Sequence, residues 1–316
     1  KGNYWAGQGL LPDTPFETLW LEFGAIKGGL DSLAHSYRGF VLREMTENLE
    51  SRKPYIFYNT WAYQERNKYW NGKAFLDSMN QEHIMKEIDL ANRLGVEVYV
   101  IDTGWYEKTG DWRVSRKRFP DGLKSVREKL EGYGMRLGLW FNPCVAALTS
   151  EMHRNHADCI QTLLGKPHPP APVWETEDSQ GICLVSRYSR AFSDELIRLH
   201  RELGVSYFKW DAISQYGCDD PGHWHGNQGN IPGERADCYA FLQPREMAGV
   251  VDRVCAACPT AIVDFDITEA GRSVGLAFLS AAKYFLQNNG PYFQTYDLPG
   301  DPARDQWNLF MHPGPT

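Results

Sequence analysis

The chain has 316 residues, 42% of them hydrophobic and 23% charged, with a formal net charge of -7. That is ordinary for a globular protein and enough for one large domain or two smaller ones. The acidic balance argues against nucleic acid or an anionic membrane as a main partner, and no apolar run approaches the roughly 18–20 residues that cross a bilayer.

No signal peptide is read at the start, and seven scattered Cys suggest free thiols in a reducing, cytoplasmic setting. The chain lacks an initiator Met and ends on HPGPT, so it reads as part of something longer. Eleven Trp is a high count that a well-filled core accounts for on its own.

Residues 1–50 stand apart, with strand character in TLWLEFG (18–24) and a helix or connector over 31–49. From Pro54 onwards a rhythm sets in. YIFYNTW (55–61) predicts a strand. Residues 80–94 carry Ile84, Met85, Ile88, Ala91 and Leu94 at a helical period, and Gly95 ends the helix before the strand VEVYVID (96–102). A helix over 122–133 precedes MRLGLWF (135–141), one over 188–203 precedes VSYFKWD (205–211), and one over 243–258 precedes TAIVDFDI (260–267). A last helix near 273–282 leads to KYFLQNN (283–289).

Near-continuous apolar strands alternating with helices predict a parallel sheet covered by helices. Polar residues recur at the strand ends: Trp61, Asp102, Trp140 with Asn142, Lys209 with Asp211, Asp266 with Glu269, and Asn288 with Asn289. A doubly wound sheet gathers ligand at one switch point, whereas a barrel gathers all its strand ends around one mouth. The pattern favours a (β/α)8 TIM-type barrel, apparently incomplete at the C-terminus because six strands are read and not eight. Long interruptions at 144–186 and 212–237 fall where barrel loops shape a substrate site.

Side chains two apart on a strand share a face, so Lys209 and Asp211 both point into the mouth while Trp210 faces the helices. An ammonium beside Asp211 would keep it ionised, as a nucleophile or electrostatic stabiliser needs; a structural ion pair closing the strand is the alternative.

KWD (209–211) resembles the nucleophile motif of clan D glycoside hydrolases, especially family 36 α-galactosidases. Other segments match that family in order: NTW (59–61), VIDTGW (100–105), GDW (110–112), FPDGLKSV (119–126), GLWFNP (138–143), AGR (270–272) and HPGP (312–315). The resemblance implies a barrel after a β-sandwich domain, with 1–50 the tail of that domain and its linker and 51–316 the catalytic barrel, its last strands missing here. It implies an oligosaccharide or glycoside substrate, and retaining hydrolysis through a glycosyl-enzyme on Asp211, a second carboxyl serving as acid and then base. Trp61, Asp102, Thr103, Trp105, Trp140, Lys209, Arg272 and Asn288 take the sugar-pocket positions. No cofactor and no metal are expected, and a homo-oligomer is left open.

This sequence departs from the family at telling positions. Thr103 stands where the family has a second Asp, and Asn142 where it has Glu. Asn288 falls at the acid/base position, and an amide has no proton to exchange in this range. Glu269 and Asp266 are the substitutes, Glu269 first for its reach; Asp264 lies deeper and reads as structural. A carbohydrate-binding pseudoenzyme and a transglycosidase are the rival readings. CDDPGHWH (218–225) has metal-ligand residue types but reads as a polar loop near the substrate entrance. Cys255-x-x-Cys258 reads as packing at a helix end.

Overall fold

The computed structural model describes residues 23–46, 48–211, 217–266 and 283–286. Among them a six-stranded, all-parallel sheet forms the centre, in the order β1-β2-β3-β9-β10-β11. Its strands are β1 (Phe57–Asn59), β2 (Val98–Ile101), β3 (Arg136–Phe141), β9 (Val205–Trp210), β10 (Ile262–Asp266) and β11 (Lys283–Leu286). All six were predicted. The helix expected at 273–282 and most of TLWLEFG lie outside the described residues.

The connecting helices include α2 (Trp61–Asn71), α3 (Gln81–Arg93), α4 (Lys124–Gly132), α6 (Tyr188–Leu203) and α7 (Pro232–Ala257), preceded in the chain by α1 (Leu30–Phe40). Helix α3 starts where Asn80 Oδ1 accepts the His83 N–H at 2.9 Å, and its apolar stripe buries Ile84, Ile88 and Ala91. Helix α6 stops at Gly204, whose φ of 68° is the left-handed value that glycine adopts without strain.

Two boundaries differ from expectation. The first strand is short, because Asn59 Oδ1 accepts the Trp61 N–H at 3.1 Å and Thr60 turns helical, so Trp61 opens α2 instead of ending β1. Helix α7 begins at Pro232, well before the predicted 243. Glu234 accepts the Ile231 N–H at 3.1 Å there, and Pro244 sits inside the helix.

The sheet has two differently filled faces. Tyr99, Ile101, Leu139, Phe141, Phe208, Trp210 and Phe265 belong to the large core. The Trp210 ring packs 5.4 Å from Phe192 of α6. Each such fully buried side chain contributes about 1.5–3 kcal/mol relative to exposure. On the alternate positions Val98, Val100, Tyr207 and Ile262 form a separate small cluster, the sheet's concave interior. Gly138 lets neighbours close there: a Cβ on it would meet Val100 Cγ2 at 2.8 Å.

The interruption after β3 is more than a loop. β4 (Val145–Ala147) and β7 (Ala171–Pro172) pair antiparallel with β8 (Asp178–Gly181), while β5 (Thr162–Leu163) and β6 (Lys166–Pro167) form a hairpin. The short helix α5 (Glu151–Asn155) lies between β4 and β5.

Candidate active site

The interior positions of β2, β3 and β9 end in polar side chains at the C-terminal rim. Lys209, next to last on β9, reaches across to β2 and donates to Asp102 Oδ2 at 3.0 Å. Both side chains are almost fully buried, at 1% and 2% exposure. Asp102 Oδ1 also accepts the Thr103 N–H at 2.7 Å, and the Asp102 N–H donates to Thr60 Oγ1 at 2.9 Å. A buried carboxylate is tolerated when paired and hydrogen-bonded in this way.

Asp211 follows β9 and continues its ladder, donating its N–H to Phe141 O at 2.8 Å. Its Oδ2 accepts the indole N–H of Trp140 at 2.9 Å. Among the described residues the carboxylate paired with Lys209 is therefore Asp102. The expectation that Lys209 pairs with its strand neighbour is corrected: the ammonium spans the sheet to β2, while an indole N–H supports Asp211. Deeper in the interior, Tyr207 donates to Asp264 Oδ2 at 2.8 Å, consistent with a structural Asp264.

A cavity of ≈ 350 Å³ opens over Asp211, Trp140 and Asn142. Its outer wall comes from the segment after β3, chiefly Gln161, His168, Val173 and Trp174. Trp174 holds a φ of 54°, a strained backbone for a bulky residue and a kind that clusters at ligand sites. Its ring lies 4.5 Å from Trp61, which also stacks on Phe75 at 4.8 Å. The stretch is pinned by Glu175, which accepts from Lys68 at 2.8 Å and from the Leu76 N–H at 3.2 Å. Gln161 and Trp174 were not singled out in the sequence; the signal for Trp174 was a lone tryptophan after the proline-rich PHPPAPV.

The remaining sequence candidates divide. Asp211 and Trp140 line the cavity. Trp61 backs its wall through Trp174. Asp102 and Lys209 are buried beside it at the rim, the side of β2 and β9 that also carries Asp211. Thr103 turns into the core, its hydroxyl 2.9 Å from the Tyr106 phenol, and burial pushes that phenol up, so it stays a neutral partner. Trp105 is a correction. It is fully buried in the core with Trp112 and Phe141, and its N–H holds the Trp140 carbonyl at 2.9 Å, so it sets the indole ligand from behind. Asn142 lines the cavity, and its Oδ1 accepts the Cys144 N–H at 3.1 Å. Glu269, Arg272 and Asn288 lie outside the described residues, and so does the side chain of Asp266.

The segment 218–225 also differs from the polar entrance loop expected. Cys218, Asp219, His223 and His225 are buried, because the segment after β3 packs over them: Asp219 Oδ1 accepts from Thr162 Oγ1 at 2.6 Å. Cys258 belongs to the main core and Cys255 packs on it, as the packing reading of that pair requires.

Among the described residues six parallel strands carry carboxylates and an aromatic-walled cavity at one C-terminal rim, an arrangement consistent with the (β/α)-barrel class. The family model described as Melibiase matches residues 15–225, and the chain belongs to that family. It is 23% identical over 211 residues to α-galactosidase Mel36A of Lactobacillus acidophilus, a match covering 64% of this chain and 27% of that protein. It is 28% identical over 159 residues to the Escherichia coli α-galactosidase, covering 48% and 21%. The chain thus spans about a quarter of the length of the curated relatives it matches. Among solved structures, the GH36 α-galactosidase AgaA of Geobacillus stearothermophilus superposes with a TM-score of 0.60 at 20% identity, covering 81% of this chain and 34% of that one. A variant of the same enzyme in complex with stachyose gives a TM-score of 0.61 at 17% identity, covering 87% and 40%. These likenesses establish the fold.

Proposed function

We propose that the chain is the catalytic part of a retaining α-glycosidase of the α-galactosidase type, with Asp211 as nucleophile. The observation that carries this reading is the setting of Asp211: a carboxylate at the rim end of β9, facing a sugar-sized cavity and held by the Trp140 N–H. Relatives named α-galactosidases support the substrate class, as do neighbours solved with raffinose and stachyose. On this reading residues 51–316 belong to a TIM-type barrel that further strands complete, preceded by a β-sandwich whose tail is 1–50.

In the first step an Asp211 oxygen bonds to the anomeric carbon as the glycosidic C–O bond breaks, and a second carboxyl group gives its proton to the leaving oxygen. In the second step that group takes a proton from water, which displaces Asp211 and restores the original anomeric configuration. The Trp140 N–H keeps the attacking carboxylate oriented in both. Glu269 is the first choice for the acid/base and Asp266 the second.

Aryl α-galactosides test the scheme. A good leaving group should be hydrolysed with retention, visible by NMR of the first-formed sugar. Glu269→Gln should slow poor leaving groups far more than good ones; equal slowing removes Glu269 from the role. A second reading, sugar binding without turnover, draws on Asn288 at the family's acid/base position. It predicts galactoside binding by calorimetry with no product from any leaving group.

A further inference from the structure

Cys183, Cys218, His223 and His225 each offer one ligand atom, these atoms all lie within 4.8 Å of one another, and all four residues are buried. Two thiols and two imidazoles are a donor set suited to zinc. Residues 218–225 supply three of the four, and Cys183 arrives from the far end of the segment after β3.

The hydrogen bonds behind the imidazoles fix which nitrogen faces the cluster. His223 Nε2 lies 2.9 Å from the Asp158 carbonyl, and His225 Nδ1 lies 3.1 Å from the Arg235 carbonyl. A carbonyl only accepts, so each of those nitrogens carries the hydrogen and donates it. Bare lone pairs remain at His223 Nδ1 and His225 Nε2. The first is 3.3 Å from Cys218 Sγ. The second is buried, on a residue 1% exposed, and makes no hydrogen bond among the described residues. Metal-bound histidines are held in this way, the outer nitrogen on a carbonyl and the inner one on the ion.

We propose that these four side chains bind one zinc ion in a closed, tetrahedral, structural site. Binding displaces the two thiol protons to solvent, and the two thiolates then neutralise the dication, so the buried centre carries no net charge. Zinc–ligand lengths place tetrahedral ligand atoms about 3.3–3.8 Å apart, so the cluster contracts by roughly 1 Å at its widest. The backbone around it is already laced together. Cys183 N–H donates to Cys159 O at 2.8 Å, Asp219 N–H to Thr162 O at 3.0 Å, and Trp224 N–H to Val185 O at 3.0 Å.

With four protein ligands the ion has no open position, so its role is to clamp the segment after β9 onto the segment after β3. That clamp reaches the cavity wall. The Tyr239 ring sits 5.3 Å from His225, and its hydroxyl accepts from Gln161, a wall residue, at 2.8 Å.

The test does not depend on sugar turnover. The chain is purified without chelator or polyhistidine tag, and its metal content is measured by mass spectrometry. A single zinc ion per chain is expected. Cys218→Ser and His225→Ala should each lower zinc affinity by more than about a hundredfold, beyond what loss of an outer partner costs. Cobalt(II) added to the metal-free, unsubstituted chain should give the intense blue absorption of a tetrahedral thiolate centre, a readout that needs no variant to fold. Zinc held no more tightly than by the variants, a pale octahedral cobalt spectrum, or a chain two hydrogen atoms lighter with Cys183 and Cys218 joined as a disulfide overturns the site.

Discussion

Ion pairs sit at both ends of the parallel sheet, and water separates their characters. At the N-terminal end Arg136, the first residue of β3, holds Glu50 at 2.7 Å with side chains 28% and 15% exposed. Lys53 and Tyr55 bond the same carboxylate, and the Arg136 guanidinium lies 4.8 Å over the Tyr55 ring. At the C-terminal end Lys209 and Asp102 form a pair of similar length with almost no exposure. A partly wet pair contributes at most about 1 kcal/mol and is easily replaced. A dry pair gains little net stability, because taking both ions out of water costs about as much as their attraction returns. Charges kept dry at such expense beside a cavity are better explained by the site than by the fold.

The sharpest way to break this contrast is Asp211→Asn, which should lower aryl α-galactosidase activity at least about a thousandfold with Tm nearly unchanged. Retained activity would strip the dry end of its chemistry. Next is Lys209→Met, which strands Asp102 as an unpaired buried charge and should cost about 3–5 kcal/mol in urea unfolding. A loss below about 1 kcal/mol would make the two ends equivalent. Trp140→Phe removes the N–H from Asp211 and should reduce kcat about tenfold to a hundredfold, the worth of a charge-assisted hydrogen bond of roughly 1.5–3 kcal/mol.

The smallest effect belongs to the wet end. Glu50→Gln should cost less at neutral pH than Lys209→Met, because it leaves no buried charge without a partner. Hydrogen bonds from Lys53, then Tyr55 and Arg136, hold the Glu50 carboxyl at about 2 against an ordinary 4.5. A depressed carboxyl stabilises the fold above its unfolded pKa and stops doing so as pH falls through the folded value. The variant should therefore unfold with less pH dependence between about 4.5 and 2 when followed by circular dichroism.

Alternating apolar runs and glycine stops made six strands legible in the sequence, and period-two parity put Lys209 and Asp211 on the interior face. Parity says which face a side chain takes, not which neighbour it meets. Lys209 therefore met Asp102 on β2, through a sheet order that local pattern does not encode. Trp105 shared a motif with Asp102, but the turn after β2 sends it into the core. Three of the four proposed zinc ligands stand in the sequence as C-x4-H-x-H. Their fourth member, Cys183, is brought in by a segment whose own small sheet carries little periodicity, and that contact exists only once the fold is formed.

The indole of Trp140 lies directly against the Asp211 carboxylate, which makes it an optical gauge of that oxygen's charge. Esterifying Asp211 would erase a negative charge within hydrogen-bonding distance of the chromophore, and an indole's emission energy follows the local field. The spectrum of the unsubstituted chain minus that of Trp140→Phe would isolate this one fluorophore, so rapid mixing with an activated sugar could time the rise and decay of the covalent adduct without any label.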